Sequence, residues 1–599
     1  MNLNKFNYMK KFLLLSLILL STPAFAEITN PQVVSKIRAE VYEHGFIEVS
    51  GIVNNIELNL SIPQEDGYQK IESFEVSDKY GICNNQCSYK FVYDKFGNKL
   101  LNINWKNPKE NIEFKIKAIV SVNRRYSVES KNFQEFLRPT NLVQSTDPEI
   151  ESIASKARGS DFEKVAYLSK WISENIRYNT VYSDVNIPAK EILKLRIGVC
   201  KEFSNLLVSF LRSLGYYSAV AVGYVHPGKI YGGENFLPHG WTEVYANEGI
   251  ISDPTWGEVG YLDATHIKFA TLPDSSWTFS SFYTTGYGSF KASLKSTNVS
   301  IKLLSFEESP VVYFNSSFLE NRLWKGYAVL KTDLSANGCF LTKYDIRSCT
   351  SNDKDFLEII NQENVTYFCN KKSIFTIFKI PDLQKNMRYT CPVSVLFYSN
   401  GEQKNILLNL FYSEGGNTKL TVDKNVVSPK EKIVAFAANS YIFSDNGDYG
   451  FENLEIFAPF YDFNIYSYNK GSLEKQSIKV VLSKPIDAIL DINDTLLEGK
   501  SYLLNVHVKN LLNNPQEVTV KFKEQIKKEY VKDLKNFTFN FTPNVNDNLI
   551  QVVVSTNDFS TTFSKQVKII EEKKVEDYIN DLFQALISFF KWLFSLFNL

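Results

Sequence analysis

The 599-residue chain has no surplus of charge, with 66 Lys and Arg against 66 Asp and Glu. A nucleic-acid binder needs excess basic side chains on some face, so the balance argues against nucleic acid as the main partner. No glycine-rich phosphate-binding loop is present. Cys83 and Cys87, with three residues between them, have no second pair at zinc-ligand spacing. The acidic turn Asp445-Asn446-Gly447-Asp448 lacks the EF-hand pattern. The sequence therefore calls for no metal and no cofactor. There is no exact internal repeat, and disorder is excluded by 44% hydrophobic and 14% aromatic residues. At about 150 residues per domain, the length corresponds to roughly four domains, or three plus tails.

Both ends carry unusual segments. Lys5, Lys10 and Lys11 precede an apolar run from Phe12 to Leu20, and Ala24-Phe25-Ala26 follows as a small-x-small site. Residues 1–26 thus read as a secretory signal peptide, too short in its apolar part to span a bilayer. Sequons at Asn59, Asn298, Asn315, Asn364, Asn493, Asn536 and Asn540 suit an exported chain but are weak as evidence. At the other end, Asp577, Asp581, Gln584, Ser588, Lys591, Ser595 and Asn598 recur at alternating steps of four and three. That is one polar seam on an otherwise apolar helix, so 576–599 is expected to associate with a membrane.

Between these ends the chain is mostly β. Residues 27–136 read as an N-terminal β domain, with strands such as Val33 to Val41, Phe46 to Val53, Ile56 to Ile62 and Ile112 to Val122. Residues 137–291 are mixed. Asp147-Pro148-Glu149 opens one helix, Asp161 a second with apolar positions at Val165, Leu168, Ile172 and Ile176, and a third starts near Val199. Residues 292–481 return to β-sandwich patterning, and 482–571 have the strand rhythm of an immunoglobulin-like module.

Seven cysteines cannot all pair. Cys83 with Cys87 makes one expected bridge. Cys339, Cys349, Cys369 and Cys391 allow three connectivities, of which the local 339–349 and 369–391 is preferred. Cys200 is left over. It opens a helix whose apolar residues Phe203, Leu206, Leu207, Phe210, Leu211 and Leu214 follow helical spacing, with Gly215 at the stop. Unpaired N–H groups and the dipole at a helix start favour a thiolate, the form that acts as a nucleophile.

Downstream, His239 lies in a strand 39 residues after Cys200, and Asp253 ends a return strand 14 residues later. His239 would be the general base and Asp253 the residue that orients it. A three-residue turn Asn247-Glu248-Gly249 would place Asp253 opposite Glu243, about 13 Å along the strand from His239. The pairing must therefore be bulged or slipped for the two to meet.

Gly198-Val199-Cys200-Lys201-Glu202-Phe203, the helix end Leu211-Arg212-Ser213-Leu214-Gly215, His239-Gly240-Trp241-Thr242-Glu243-Val244-Tyr245 and Asp253-Pro254-Thr255-Trp256 together resemble the transglutaminase-like superfamily. The resemblance covers about 137–290 and implies an α+β papain-like core with a Cys-His-Asp site. Here that core is flanked by the N-terminal β domain and the C-terminal immunoglobulin-like β-sandwich domains. The resemblance also implies attack of a thiol on a carboxamide, giving a thioester that passes to water or to an amine. Secreted prokaryotic members are expected to be mainly hydrolytic.

On the same ground Trp171 is a candidate oxyanion donor, although its helical position suits a core role better. His226 and Trp241 are candidate substrate contacts, with a surface-loop role the plainer reading of His226. His44, His266 and His507 receive no role. The expected activity is a cysteine peptidase or amidase acting on a protein or peptide at the cell surface. The alternatives are a non-catalytic adhesion protein and a cross-linking enzyme.

Overall fold

A computed structural model describes residues 27–570, apart from 79–86, 277–279, 321, 323, 352–353, 362, 385–386, 412–414, 483 and 513–514. The expected signal peptide, Cys83 and the C-terminal helix 576–599 lie outside the described residues. Among the described residues, no helix is long and apolar enough to cross a membrane.

The N-terminal sheet is organised by one strand, β1 (Val34–Ser61). Ile37, Ala39 and Val41 alternate inward with Arg38 and Glu40 outward, the period-2 pattern of a half-buried strand. The three segments expected here as separate strands are therefore continuous. Gly51, at φ +77°, and the register shifts around it absorb the break as a bulge instead of a turn. Four more strands follow: β2 (Gln69–Asp78), β3 (Cys87–Tyr93), β4 (Lys99–Lys106) and β5 (Ile112–Asn123). The spatial order is β2-β5-β1-β4-β3. Gly45 leaves room for the Phe114 ring, which a Cβ there would meet at 2.0 Å.

Four helices come next: α1 (Pro148–Ala154), α2 (Asp161–Asn175), α3 (Ala189–Leu195) and α4 (Cys200–Ser213). Asp147 caps α1 by accepting from the backbone N–H of Glu149 at 2.9 Å, and Pro148 fills the first helical position. A sheet then forms from β6 (Ser218–Val225), β7 (Leu237–Val244), β8 (Ile250–Asp253), β9 (Glu258–Val259) and β10 (Ile267–Leu272). Its order, β10-β6-β7-β8-β9, is antiparallel throughout.

The helical and strand parts are joined to the N-terminal sheet by a shared core. Ile37, Ala39 and Val41 cluster with Val120, Ile267 and Phe269. A very long strand, β11 (Ser281–Glu308), then leaves the core and pairs along almost the whole of β1. This second partner satisfies the open edge of β1 that β5 and β4 leave.

After β11 the chain forms β12 (Tyr313–Phe318), β13 (Tyr327–Arg347), β14 (Val365–Lys379), β15 (Arg388–Phe397) and β16 (Gln403–Phe411). The core sheet continues into this region through Val259 of β9 opposite Leu341 of β13. Residues 482–570 make a separate compact unit with 158–160 and 213–215. Within it, a three-stranded and a four-stranded sheet enclose Val506, Val520, Phe537 and Val552, an immunoglobulin-like sandwich core.

The disulfides correct the local pairing expected from sequence. The bonds are Cys339–Cys369 and Cys349–Cys391. Cys339 and Cys349 are ten residues apart on and just past the extended β13, roughly 30 Å at strand rise, and cannot meet. Cys369 instead lies directly across the ladder from Cys339, with Cα atoms 3.9 Å apart. Cys87 is disulfide-bonded. Disulfides of this kind belong to a chain folded in an oxidising compartment.

Peptide mapping without reduction should recover the 339–369 and 349–391 pairs. Replacing Cys349 and Cys391 by Ser should lower stability by about 2–5 kcal/mol in thermal or denaturant unfolding. Recovery of a 339–349 peptide would overturn the assigned register.

Candidate active site

Cys200 is the first residue of α4 and keeps a partly exposed thiol, the free cysteine among those described. The helix start is built by its own first turn. Glu202 Oε2 accepts from the Val199 N–H at 3.2 Å, so a carboxylate near the helix start covers an otherwise orphaned donor. Gly198 makes this possible, since a Cβ there would stand 2.8 Å from the Glu202 Cβ. Phe203, Leu206, Leu207, Phe210 and Leu211 are all buried and fix the helix to the core. Ser204 Oγ donates to the Gly240 carbonyl at 3.0 Å, which pins α4 to the strand next to His239.

The slip required between β7 and β8 is present. Ile250 faces Val244 and Ser252 faces Thr242, so the connection is the five residues 245–249. Asp253 is thereby brought two residues nearer to His239, within diagonal reach on one face. His239 Nε2 stands 2.8 Å from Asp253 Oδ2. A carboxylate can only accept, so the ring proton is on Nε2, and the hydrogen bond between His239 and the Cys200 side chain falls to Nδ1.

Asp253 is completely buried, and each of its oxygens is engaged. Oδ1 accepts from the Thr255 N–H at 2.8 Å, and more weakly from Trp256 at 3.4 Å, closing the Pro254 turn. Oδ2 takes His239 at 2.8 Å and His266 at 3.4 Å. Burial alone would raise its carboxyl, but the two histidines outweigh that and hold it well below the usual range. For His239, burial works against the charged ring. The Asp253 carboxylate and Cys200 reverse this and push it up to about 10.

A cavity of about 350 Å³ opens over Cys200 and His239. Its other walls include Tyr224 and Phe269 from the core sheet, and Glu43 and Thr297 from the long paired strands of the N-terminal sheet.

Residues 151–259, which hold all three residues, match the family model of the transglutaminase-like superfamily. The chain carries a transglutaminase-like domain. No curated protein matches the chain. Among solved structures, it is similar to a candidate cysteine protease from Cytophaga hutchinsonii. The identity is 17%, over 46% of this chain and 93% of that one, with a TM-score of 0.34. A tandem of titin domains is similar at 9% identity, over 43% of this chain and 100% of that one, with a TM-score of 0.16. Fibronectin type III-like modules from Clostridium thermocellum are similar at 10% identity, over 26% and 98%, with a TM-score of 0.14.

Around Cys200, His239 and Asp253 lie site neighbours to which the sequence alone assigns no role. His266, given no role, is fully buried between two carboxylates, 3.4 Å from Asp253 Oδ2 and 3.3 Å from Asp263 Oδ2. Burial lowers its ring, yet Asp263 and Asp253 raise it overall. Glu258 lies in the same pocket of charge. Burial, then the charges of Asp263 and Asp253, raise its carboxyl well above the ordinary value. Among the described residues two sets offer ligand atoms within 4.8 Å of one another and could hold a cation: His239, Asp253 and His266, and Glu258, Asp263 and His266. An imidazolium at His266 with a protonated Glu258 balances the same cluster by protons alone. The available signal was the density of acidic residues just after Asp253. Trp256, part of the motif that carries the resemblance, stacks on the His239 ring at 5.3 Å.

The three lesser candidates fall outside direct chemistry. Trp171 packs edge-on against Phe210 at 5.5 Å and carries Arg196 over its ring, away from the cavity walls. Its ring is only partly buried, at the edge of the core and not within it. Trp241 is fully buried and lies nearly parallel to the His239 ring at 6.4 Å, so it supports that ring and does not reach the cavity. His226 is not a surface histidine but is buried. Its Nδ1 accepts from Gly228 at 3.1 Å, and its Nε2 lies 3.1 Å from the Glu234 carbonyl. The loop folds back through Gly228 at φ +64° and encloses the ring as a clamp.

The raised His239 pKa fixes the sign of a pH effect. Its ring gains charge-dependent stability that is complete below the unfolded value of about 6.5 and is lost as pH rises through about 10. The stability gap between the protein and its Asp253→Asn variant should therefore narrow between those pH values in thermal unfolding. A gap that stays constant across the window would show that the ring is not charged by Asp253.

Proposed function

We propose that the protein is an exported cysteine hydrolase acting on peptide-type amides, with Cys200 as nucleophile, His239 as base and acid, and Asp253 as the orienting carboxylate. The observation that carries this reading is the His239–Asp253 hydrogen bond at 2.8 Å, with the free thiol of Cys200 on the other side of the same ring. The thiolate would attack a carboxamide carbon, forming a C–S bond while the oxygen takes up charge. The backbone N–H groups at the start of α4 would receive that charge. Collapse of the intermediate breaks the C–N bond, and the imidazolium of His239 gives its proton to the leaving amine. Water then attacks the thioester, His239 takes its proton, and the C–S bond breaks to release the acid and restore the thiol.

The burial of the supporting shell favours catalysis over a purely structural use of the core. Asp253 and His266 are completely enclosed, and Lys343 of β13 donates to the Thr255 carbonyl at 2.7 Å, bracing the same turn. Such enclosure holds the base at a fixed angle, as a preorganised site requires. The disulfides and the N-terminal signal pattern support an extracytoplasmic location. The polar seam of residues 576–599 supports attachment of the enzyme to a membrane surface.

The test uses iodoacetamide at neutral pH and a casein hydrolysis assay. Cys200 should be alkylated faster than an ordinary thiol, and His239→Ala should remove that advantage. Cys200→Ser should abolish hydrolysis, and Asp253→Asn should reduce it by on the order of 10³-fold or more. Equal alkylation rates in the protein and in His239→Ala would sink the mechanism. Incorporation of a fluorescent amine into casein, in place of hydrolysis, would reassign the acyl acceptor from water to an amine.

A further inference from the structure

Glu43 sits where β1 should carry an apolar residue. Its inward-facing neighbours on the strand are Val41 and Gly45, and its cross-strand partners are Val299 of β11 and Ile116 of β5. The residue is only 6% exposed, and among the described residues no hydrogen bond or ion pair satisfies its carboxylate. A buried carboxylate without a partner is costly, so its retention needs a reason outside the fold.

The carboxylate lines the same 350 Å³ cavity as Cys200 and His239. The titratable groups facing it across that cavity are Cys200 and Lys201 of α4, Tyr224 of β6 and His239 of β7. None of them neutralises it. The Lys201 ammonium is turned away and donates to the carbonyls of Ser183 and Val185, both at 2.9 Å. His239 is committed to Asp253. The cavity therefore holds one unmatched negative site beside the nucleophile.

We propose that Glu43 forms a subsite for a cationic side chain of the peptide substrate, an ammonium or guanidinium group seated in the cavity beside the Cys200 thiol. This rests on the acyl-transfer reading and narrows its substrate class to peptides bearing Lys or Arg near the cleaved amide. The cation supplies the partner that the fold withholds from Glu43, and its own desolvation is offset by that pairing. Burial pushes the empty Glu43 carboxyl up to about 7. The preference for a cation therefore strengthens as pH rises through that value and fades below it.

The test compares two thiol reagents on the full exported chain: trimethylammonioethyl methanethiosulfonate, a permanent cation, and the neutral methyl methanethiosulfonate. The ratio of their rates at Cys200 cancels changes in thiol reactivity. At pH 8 the ratio should be higher than in Glu43→Gln by roughly ten-fold, and it should drop toward the variant's value at pH 6. Glu43→Leu, which suits the apolar face of β1, should behave as Glu43→Gln does. N-acetyl-lysinamide should protect Cys200 from the neutral reagent better than N-acetyl-norleucinamide, and the difference should vanish in either variant. Ratios equal in the protein and both variants, or equal protection by the two amides, would overturn the subsite. Failure of the acyl-transfer reading appears separately, as a neutral-reagent rate no faster than that of an ordinary thiol.

Discussion

The Asp253 carboxylate is the fixed point around which the site is assembled. It is a full negative charge removed from water, and such a charge is tolerated only when every lone pair has a donor. Two backbone N–H groups of its own turn take one oxygen, and two histidines take the other. Each donor is in turn constrained. The turn is closed by the Gly257 N–H onto the Asp253 carbonyl at 2.9 Å and braced by Lys343, His239 is stacked on Trp256, and His266 is backed by Asp263. Loss of any one donor would leave a buried charge short of a partner, so the shell stands or falls together.

That dependence reaches beyond the residues matched to the family. Lys343 comes from β13, outside 151–259, and Glu43 and Thr297 come from the paired β1 and β11. The transglutaminase-like core supplies Cys200 and His239, while the neighbouring strands complete the turn beneath them and one wall of the cavity above. The N-terminal sheet is packed against the core through Ile267 and Phe269, so that wall is held by apolar burial.

Much of this could be read from residues alone. The helix of Cys200 announced itself through the spacing of Phe203 to Leu214, and the alternation of Ile37, Ala39 and Val41 marked a strand. The need for a slip between β7 and β8 followed from counting residues, although the length of the turn did not. What stayed hidden depended on contacts between distant segments. Cys339 meets Cys369 because β13 and β14 pair in a particular register, which no local pattern encodes. His266 gains its role from Asp253, thirteen residues earlier, which becomes its neighbour only when β8 and β10 close around it; Asp263, three residues before it, is local. Glu43 was overlooked for a different reason. A single acidic residue in an alternating strand reads as a solvent-facing position until the opposite face of the sheet is known.

The free thiol of Cys200 also bears on how the protein must mature. Formation of its disulfides takes place while the chain is still folding, and every cysteine then competes for every other. Cys200 lies in sequence between Cys87 and Cys339, two residues that must find other partners. A bridge to either would consume the sulfur that the proposed chemistry needs. Early docking of α4 on its apolar face would remove Cys200 from that competition. The order of folding events, and not only the final structure, thus decides what fraction of molecules leaves assembly with the Cys200 thiol free.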